Sequence, residues 1–189
     1  MHPVEALLVP LGKLFRNRHA DETKSLSHAP ELVTANRLTV TSPAFADGQE
    51  IPAKFCGTFI GQNISPAITW SPPPEGTVQL LLVMEDLDSP GTTPRLHAVA
   101  AFAPQEGGLP EGGLAAGASG VGFLPGKRGP VAYAGPRPLP GHGPHHYRIH
   151  LYALNARVDL AALSGVEQLP AAVSGHVLAS GTLSGTRTS

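Results

Sequence analysis

The chain has 189 residues, 41% of them hydrophobic, with 22 glycines, 20 prolines, one cysteine and a formal net charge of −1. That length supports one domain with a sizeable core. A near-neutral charge without a basic stripe argues against binding along a nucleic-acid backbone. The density of glycine and proline excludes a helix bundle, and a lone Cys56 excludes a disulfide framework or a multi-cysteine zinc cluster.

At the N-terminus, Glu5 sits where a secretory signal needs positive charge, and no small-residue cleavage site follows. No run of about 18 uncharged apolar residues exists, so a cytoplasmic protein without a membrane span is expected. Leu7, Leu8, Leu11, Leu14 and Phe15 fall on one helical face, with Pro10 expected to interrupt or kink the helix. That face suits packing on the domain or on a second copy better than lying on a membrane. Residues 17–36 are mostly polar and read as a linker. The expected organisation is therefore an N-terminal extension over 1–36, a short helix and linker, followed by one domain over 37–189.

Leu38–Ser42 alternates and is β-branched, as a strand requires. Asp47-Gly48 marks a turn, Ile51–Phe55 reads as a second strand, and Ile68–Trp70 as a third, stopped by Pro72-Pro73-Pro74. Val78–Met84 is a nearly continuous apolar run, which predicts a strand buried on both faces. Leu96–Phe102 follows as another strand. Residues 104–130 form a long glycine-rich loop, and Tyr133–Tyr147 is too rich in proline and glycine for regular structure. Tyr147–Leu154 alternates as a strand. Pro170 followed by Ala171–Ser180 predicts a C-terminal helix, ended by Gly181.

Three polar clusters lie where strands meet loops: Asp86-x-Asp88-x-Pro90, His97 and His145-x-Tyr147. Loops placed by a rigid sheet are where binding chemistry gathers. Imidazoles and phenols donate to anions, and carboxylates hold imidazoles in one tautomer. The plain alternatives are turn chemistry for the aspartates and a structural role for His97. His142, His145 and His146 have a metal-like spacing, but the glycine and proline between them rule against a helical two-histidine site.

The ordered set of motifs resembles the phosphatidylethanolamine-binding protein family, in particular its bacterial Raf-kinase-inhibitor-like branch. The residues that carry it are Phe45-Ala46-Asp47-Gly48, Gly61-Gln62-Asn63-Ile64-Ser65-Pro66, Glu85–Pro90, His97, Tyr133-x-Gly135-Pro136 and Gly143-Pro144-His145-x-Tyr147. The resemblance implies a mostly β fold, with a large central sheet packed on a smaller one and few short helices. It also implies a surface pocket for phosphate-like anions or phospholipid head groups, without catalysis and without a cofactor. Carried over by position, the pocket comprises Asp86, Asp88, Pro90, His97, His145 and Tyr147, with Gly135, Arg137 and Pro138 at its rim. A protein-interaction regulator is the alternative, a metal-dependent enzyme a more distant one, and a homodimer is compatible with either. Ala98 stands where relatives often have Trp, which is expected to open one pocket wall, and His146 replaces a frequent Arg.

Overall fold

The computed structural model describes residues 3–126, 129–130 and 132–189. Its centre is β3 (Gln79–Asp86), buried from Leu80 to its end. Burial on both sides explains why this strand reads as a continuous apolar run. Leu80, Leu82 and Met84 face one core layer with Ile149 and Leu151. Leu81 and Val83 face a second layer with Val99, Leu154 and Leu169. The remaining strands are β1 (Val40–Thr41), β2 (Thr69–Trp70), β4 (Arg95–Phe102), β5 (Val121–Phe123), the short β6 (Pro125–Gly126) and β7 (Gly129–Pro130), β8 (His145–Leu154) and β9 (Val177–Arg187). The main sheet is antiparallel with order β5-β4-β3-β8-β9. The two-stranded sheet β1-β2 packs over its first face through Val40 and Trp70. The fold is mostly β, as expected, with three short helices among the described residues: α1 (Pro3–Ala6), α2 (Val9–Phe15) and α3 (Leu169–Val173).

Several local expectations are corrected. The C-terminal helix is only α3, and the chain from Val177 to Arg187 is the 11-residue edge strand β9. Gly175 turns the chain at φ +74°; the segment beyond it then pairs along the whole of β8, whose backbone groups would otherwise lack partners. Ile51 donates its N–H to Thr186 at 2.8 Å, but Pro52 has no N–H to continue a ladder. Ala53–Phe55 is accordingly a 3₁₀ turn, not a strand. Residues 104–130 are not one loop, because β5 and the β6–β7 pair lie within them.

The stretch read as a linker is three 3₁₀ turns, Glu22–Lys24, Leu26–His28 and Pro30–Leu32, the first two capped by the side chains of Asp21 and Ser25. Leu26, Ala29 and Leu32 pack on the second core layer, with Leu32 1% exposed. A spacing of three puts them on one side of a 3₁₀ path, a period that a search for 3.6 or 2.0 does not see.

Candidate functional site

Side-chain parity assembles the site. Successive residues of a strand point to opposite faces, so Asp86 of β3 and His145 and Tyr147 of β8 share a face, with Asp86 directly opposite Tyr147. A bulge brings in β4: Met84 pairs with Ala98 but Glu85 pairs with Leu96, leaving His97 as the extra residue. Bulges re-aim side chains. Here both His97 and Ala98 come to the first face, where His97 lies edge-on to Tyr147 with ring centroids 5.2 Å apart. Ala98 is packed in the core rather than on a pocket wall, so its small size does not open the pocket as expected.

A hydrogen-bonded chain runs from this face to the N-terminal segment. Asp86 accepts from the Asp88 N–H at 2.9 Å. His145 Nδ1 lies 3.0 and 2.8 Å from the two Asp86 oxygens. His145 Nε2 meets His142 Nδ1 at 2.9 Å, and His142 Nε2 meets the Arg18 carbonyl at 2.8 Å. The Arg18 oxygen only accepts, so His142 donates through Nε2 and accepts at Nδ1. His145 then donates to His142 through Nε2 and to Asp86 through Nδ1. Every bond in the chain is satisfied when both nitrogens of His145 carry hydrogen.

Beside this chain is a cavity of about 540 Å³. Of the residues expected in the site, Asp86, Pro90, His97, Gly135, Arg137, Pro138 and His145 line it. Asp88 and Tyr147 do not. Asp88 accepts from the His146 N–H at 2.7 Å, from His146 Nδ1 at 2.8 Å and from His19 Nδ1 at 3.0 Å. Burial raises its pKa, but the hydrogen bonds from His146 outweigh burial and hold it below the usual carboxylate range. His146 thus does some of the anchoring expected of an arginine. Tyr147 is fully buried beneath the cavity, and burial, then the charge of Asp86, push its hydroxyl far above the usual phenol range.

His97 is only half satisfied, and the buried Tyr147 hydroxyl beside it has no hydrogen-bond partner either. The His97 Nδ1–H donates to the Ala134 carbonyl. Its Nε2 is buried, 4.0 Å from Asp86 Oδ2, with no hydrogen-bond partner. Burial pulls its pKa below the ordinary imidazole value, against the opposing pull of Ala134 and Asp86. In the free protein at neutral pH, the ring is therefore neutral and its Nε2 lone pair is unused.

The cavity walls are fixed by short-range clips. Asn63 accepts from the Gly135 N–H at 2.8 Å and donates to the Tyr133 carbonyl at 3.3 Å. The Tyr133 hydroxyl donates to the Phe55 carbonyl at 2.7 Å. Arg137 places its guanidinium over the Phe59 ring at 4.6 Å and its Nε 3.9 Å from the buried carboxylate of Glu5. Cys56 is wholly buried, and burial pushes its thiol up to about 11, which leaves it protonated and unreactive at neutral pH. Among the described residues, no three of His, Cys, Asp and Glu are grouped to hold a metal ion.

Sequence reasoning missed four contributors. Arg95 lines the cavity, and so do Asn63 and Leu8; His142 extends the histidine chain. Asn63 lies within the Gly61–Pro66 motif, and the sequence around His142 suggests only a metal ligand. Leu8 and Arg18 belong to the N-terminal segment, whose apolar stripe suggests packing on the domain but not where it docks. The expected interruption falls at Leu7 and Leu8, between α1 and α2, with Pro10 in the first turn of α2 and Gly12 buried against the 140–142 loop. Leu7 and Leu14 of the apolar stripe are largely exposed. A Cβ on Gly12 would fall 1.9 Å from the Pro140 oxygen and 2.8 Å from the His142 nitrogen. Gly12→Ala is therefore expected to undock α2 at a cost of about 1–3 kcal/mol. Trypsin should then cut faster after exposed Lys13 and Arg16; unchanged cleavage would show that α2 docks without this contact.

Fold and site together define a mostly β protein with a histidine-lined pocket at the ends of its central strands. Residues 41–188 match the family profile described as phosphatidylethanolamine-binding protein, and the chain belongs to that family. A UPF0098 protein of Mycobacterium tuberculosis is 43% identical over 139 residues, which are 73% of this chain and 64% of the relative. This chain thus spans less than two thirds of that relative's length. LppC of the same species, a lipoprotein candidate by name, is 36% identical over 155 residues, 80% of this chain and 74% of the relative. The crystal structure of a phosphatidylethanolamine-binding protein homologue, CT736 of Chlamydia trachomatis, matches with a TM-score of 0.70 and 29% identity, covering 82% of this chain and 99% of that one. Among the described residues no helix is long and apolar enough to cross a membrane.

Proposed function

We propose that this protein binds, without catalysis, a phosphate-like anion in the cavity at the ends of β3, β4 and β8. The anion is either free or carried by a phospholipid head group. The observation that carries this reading is the buried Nε2 of His97, which lacks a partner inside a polar cavity lined by Arg95 and Arg137. A buried polar atom left unbonded is costly, and a ligand in the cavity relieves it. The two aspartates do not repel such a ligand strongly, because Asp86 is paired with His145 and Asp88 with His146 and His19.

An anion beside His97 raises the ring's proton affinity, so binding takes up a proton. Nε2 then becomes a charged donor to the ligand. Because the free ring titrates below the ordinary 6.5, affinity for phosphate should rise as pH falls toward that range and flatten at higher pH. The test is thermal stability with inorganic phosphate and with phosphoethanolamine. A saturating ligand at a hundred times its Kd stabilises by about 2.7 kcal/mol, a melting shift of several degrees. His97→Ala should reduce the shift. A larger shift with phosphoethanolamine than with phosphate identifies a head-group site, and no shift with either at millimolar concentration rejects the reading.

A further inference from the structure

We propose that a cavity on the opposite face of the five-stranded sheet is a second binding site, specific for a small oxyanion. The cavity measures about 340 Å³ and is lined by Arg37, Arg148, His150, Tyr152, Ser180 and Thr182, among others. Strand parity separates it from the first pocket. Arg148, His150 and Tyr152 alternate with the residues of β8 that build the first site, and His150 and Tyr152 stand opposite Thr182 and Ser180 of β9.

Two polar groups beneath this cavity are built in without partners. The His150 side chain is 5% exposed and Tyr152 is 2% exposed, yet His150 Nε2 and the Tyr152 hydroxyl make no hydrogen bond. His150 Nδ1 is satisfied by Thr182 Oγ1 at 3.0 Å. The nearest carboxylate, Glu85, is 3.6 Å from Nε2, too far for a hydrogen bond. Its oxygens are already taken by the Ser25 hydroxyl at 2.6 Å and the Leu26 N–H at 3.2 Å. Native structures rarely leave two buried groups unbonded side by side without a ligand, water or ion to meet them.

The cavity's cations set the class of ligand. Arg37 makes one long bond to Ser180 Oγ at 3.4 Å. Arg148 pairs with Glu22, whose side chain is half exposed, and such pairs are weak and exchangeable. The charged and titratable groups facing His150 are Glu85, Arg148, His28 and Tyr152. Burial, then the positive fields of Arg148 and His28, push His150 down to about 4, and Glu85 is raised chiefly by its own burial. The same positive field attracts an anion. Two guanidinium forks and several hydroxyls match the paired oxygens of a phosphate or a carboxylate, and the volume admits a small molecule but not an acyl chain. The bound anion offsets the field on His150, whose Nε2 then gains a proton and donates to it, as does the Tyr152 hydroxyl.

The test is a backbone amide NMR titration of the full chain with inorganic phosphate and, separately, acetate. Gly181 and Thr182 report on this cavity, and Ala134 and Gly135 on the first. Saturable shifts at Gly181 and Thr182 are expected, unchanged in His97→Ala. Tyr152→Phe removes only an unbonded hydroxyl, so the fold is kept, and it should weaken those shifts about tenfold; Arg37→Ala should do the same. Stronger response to phosphate or to acetate identifies the oxyanion. Shifts confined to Ala134 and Gly135, or shifts at Gly181 and Thr182 untouched by both variants, would overturn the second site whatever becomes of the first.

Discussion

Asp86→Ala is expected to cost about 3–5 kcal/mol of stability, because it leaves several buried hydrogen-bonding groups without partners. The Asp86 and His145 side chains are 5% and 2% exposed, so the contact is buried at the edge of the cavity. The variant strands His145 Nδ1, frees the Asp88 N–H and removes the anchor of the chain that ends at Arg18. For a chain of this size such a loss lowers the melting temperature by roughly 10 °C. His145→Ala should be comparably harmful, and the double variant should cost less than the two single ones combined, because both break the same contact. Additive losses, or an Asp86→Ala protein that melts like the wild type, would show that the pair does not hold this end of the sheet together.

The second large effect is a pH dependence centred on His150. Its pKa falls from 6.5 to about 4 on folding. Between those values the unfolded chain carries a proton that the native ring does not. Stability therefore drops as pH falls through this window, by about 3 kcal/mol in total. His97, also depressed by burial, acts in the same direction. Glu85 acts oppositely: its pKa is raised by burial, so the native state keeps a proton that the unfolded state releases, and this contribution improves as pH falls. Comparing His150→Gln with the wild type isolates the histidine. Urea unfolding from pH 6.5 to 4 should give a flatter stability profile for the variant, by up to about 3 kcal/mol. Parallel profiles would show that burial of His150 is not coupled to protonation.

Much of the scaffold is legible in the sequence. The runs that became β3 and β4 announce themselves because a strand buried on both faces is apolar nearly throughout, with polarity returning at its ends, and β8 announces itself by alternation. Those ends are where Asp86, His97 and His145 stand, so the candidate pocket follows from the same pattern that marks the strands. Asp88 and Tyr147 are grouped with the site by sequence, yet neither lines the cavity: sequence does not distinguish a residue in a cavity from one that holds its floor or its turn. That distinction depends on the hydrogen bonds of Asp88 to His146 and His19 and on the burial of Tyr147 under the pocket.

What only the tertiary structure decided has a common physical reason: it depends on partners far away in the chain. The segment after Gly175 has residues that suit a helix, yet it becomes β9 because the edge of β8 demands hydrogen bonds. The extra residue at His97 is visible only once β4 is set against β3. Leu26, Ala29 and Leu32 read as scattered apolar residues until the second face of the sheet collects them. Arg18 lies 124 residues from His142 and meets it only because α2 seats a glycine against the 140–142 loop. By itself the sequence determined that β3, β4 and β8 form and which polar residues sit at their ends, since both follow from local burial and period. The fold then decided which of those residues meet, because a hydrogen bond or a shared cavity belongs to a pair of surfaces and not to either stretch of chain alone.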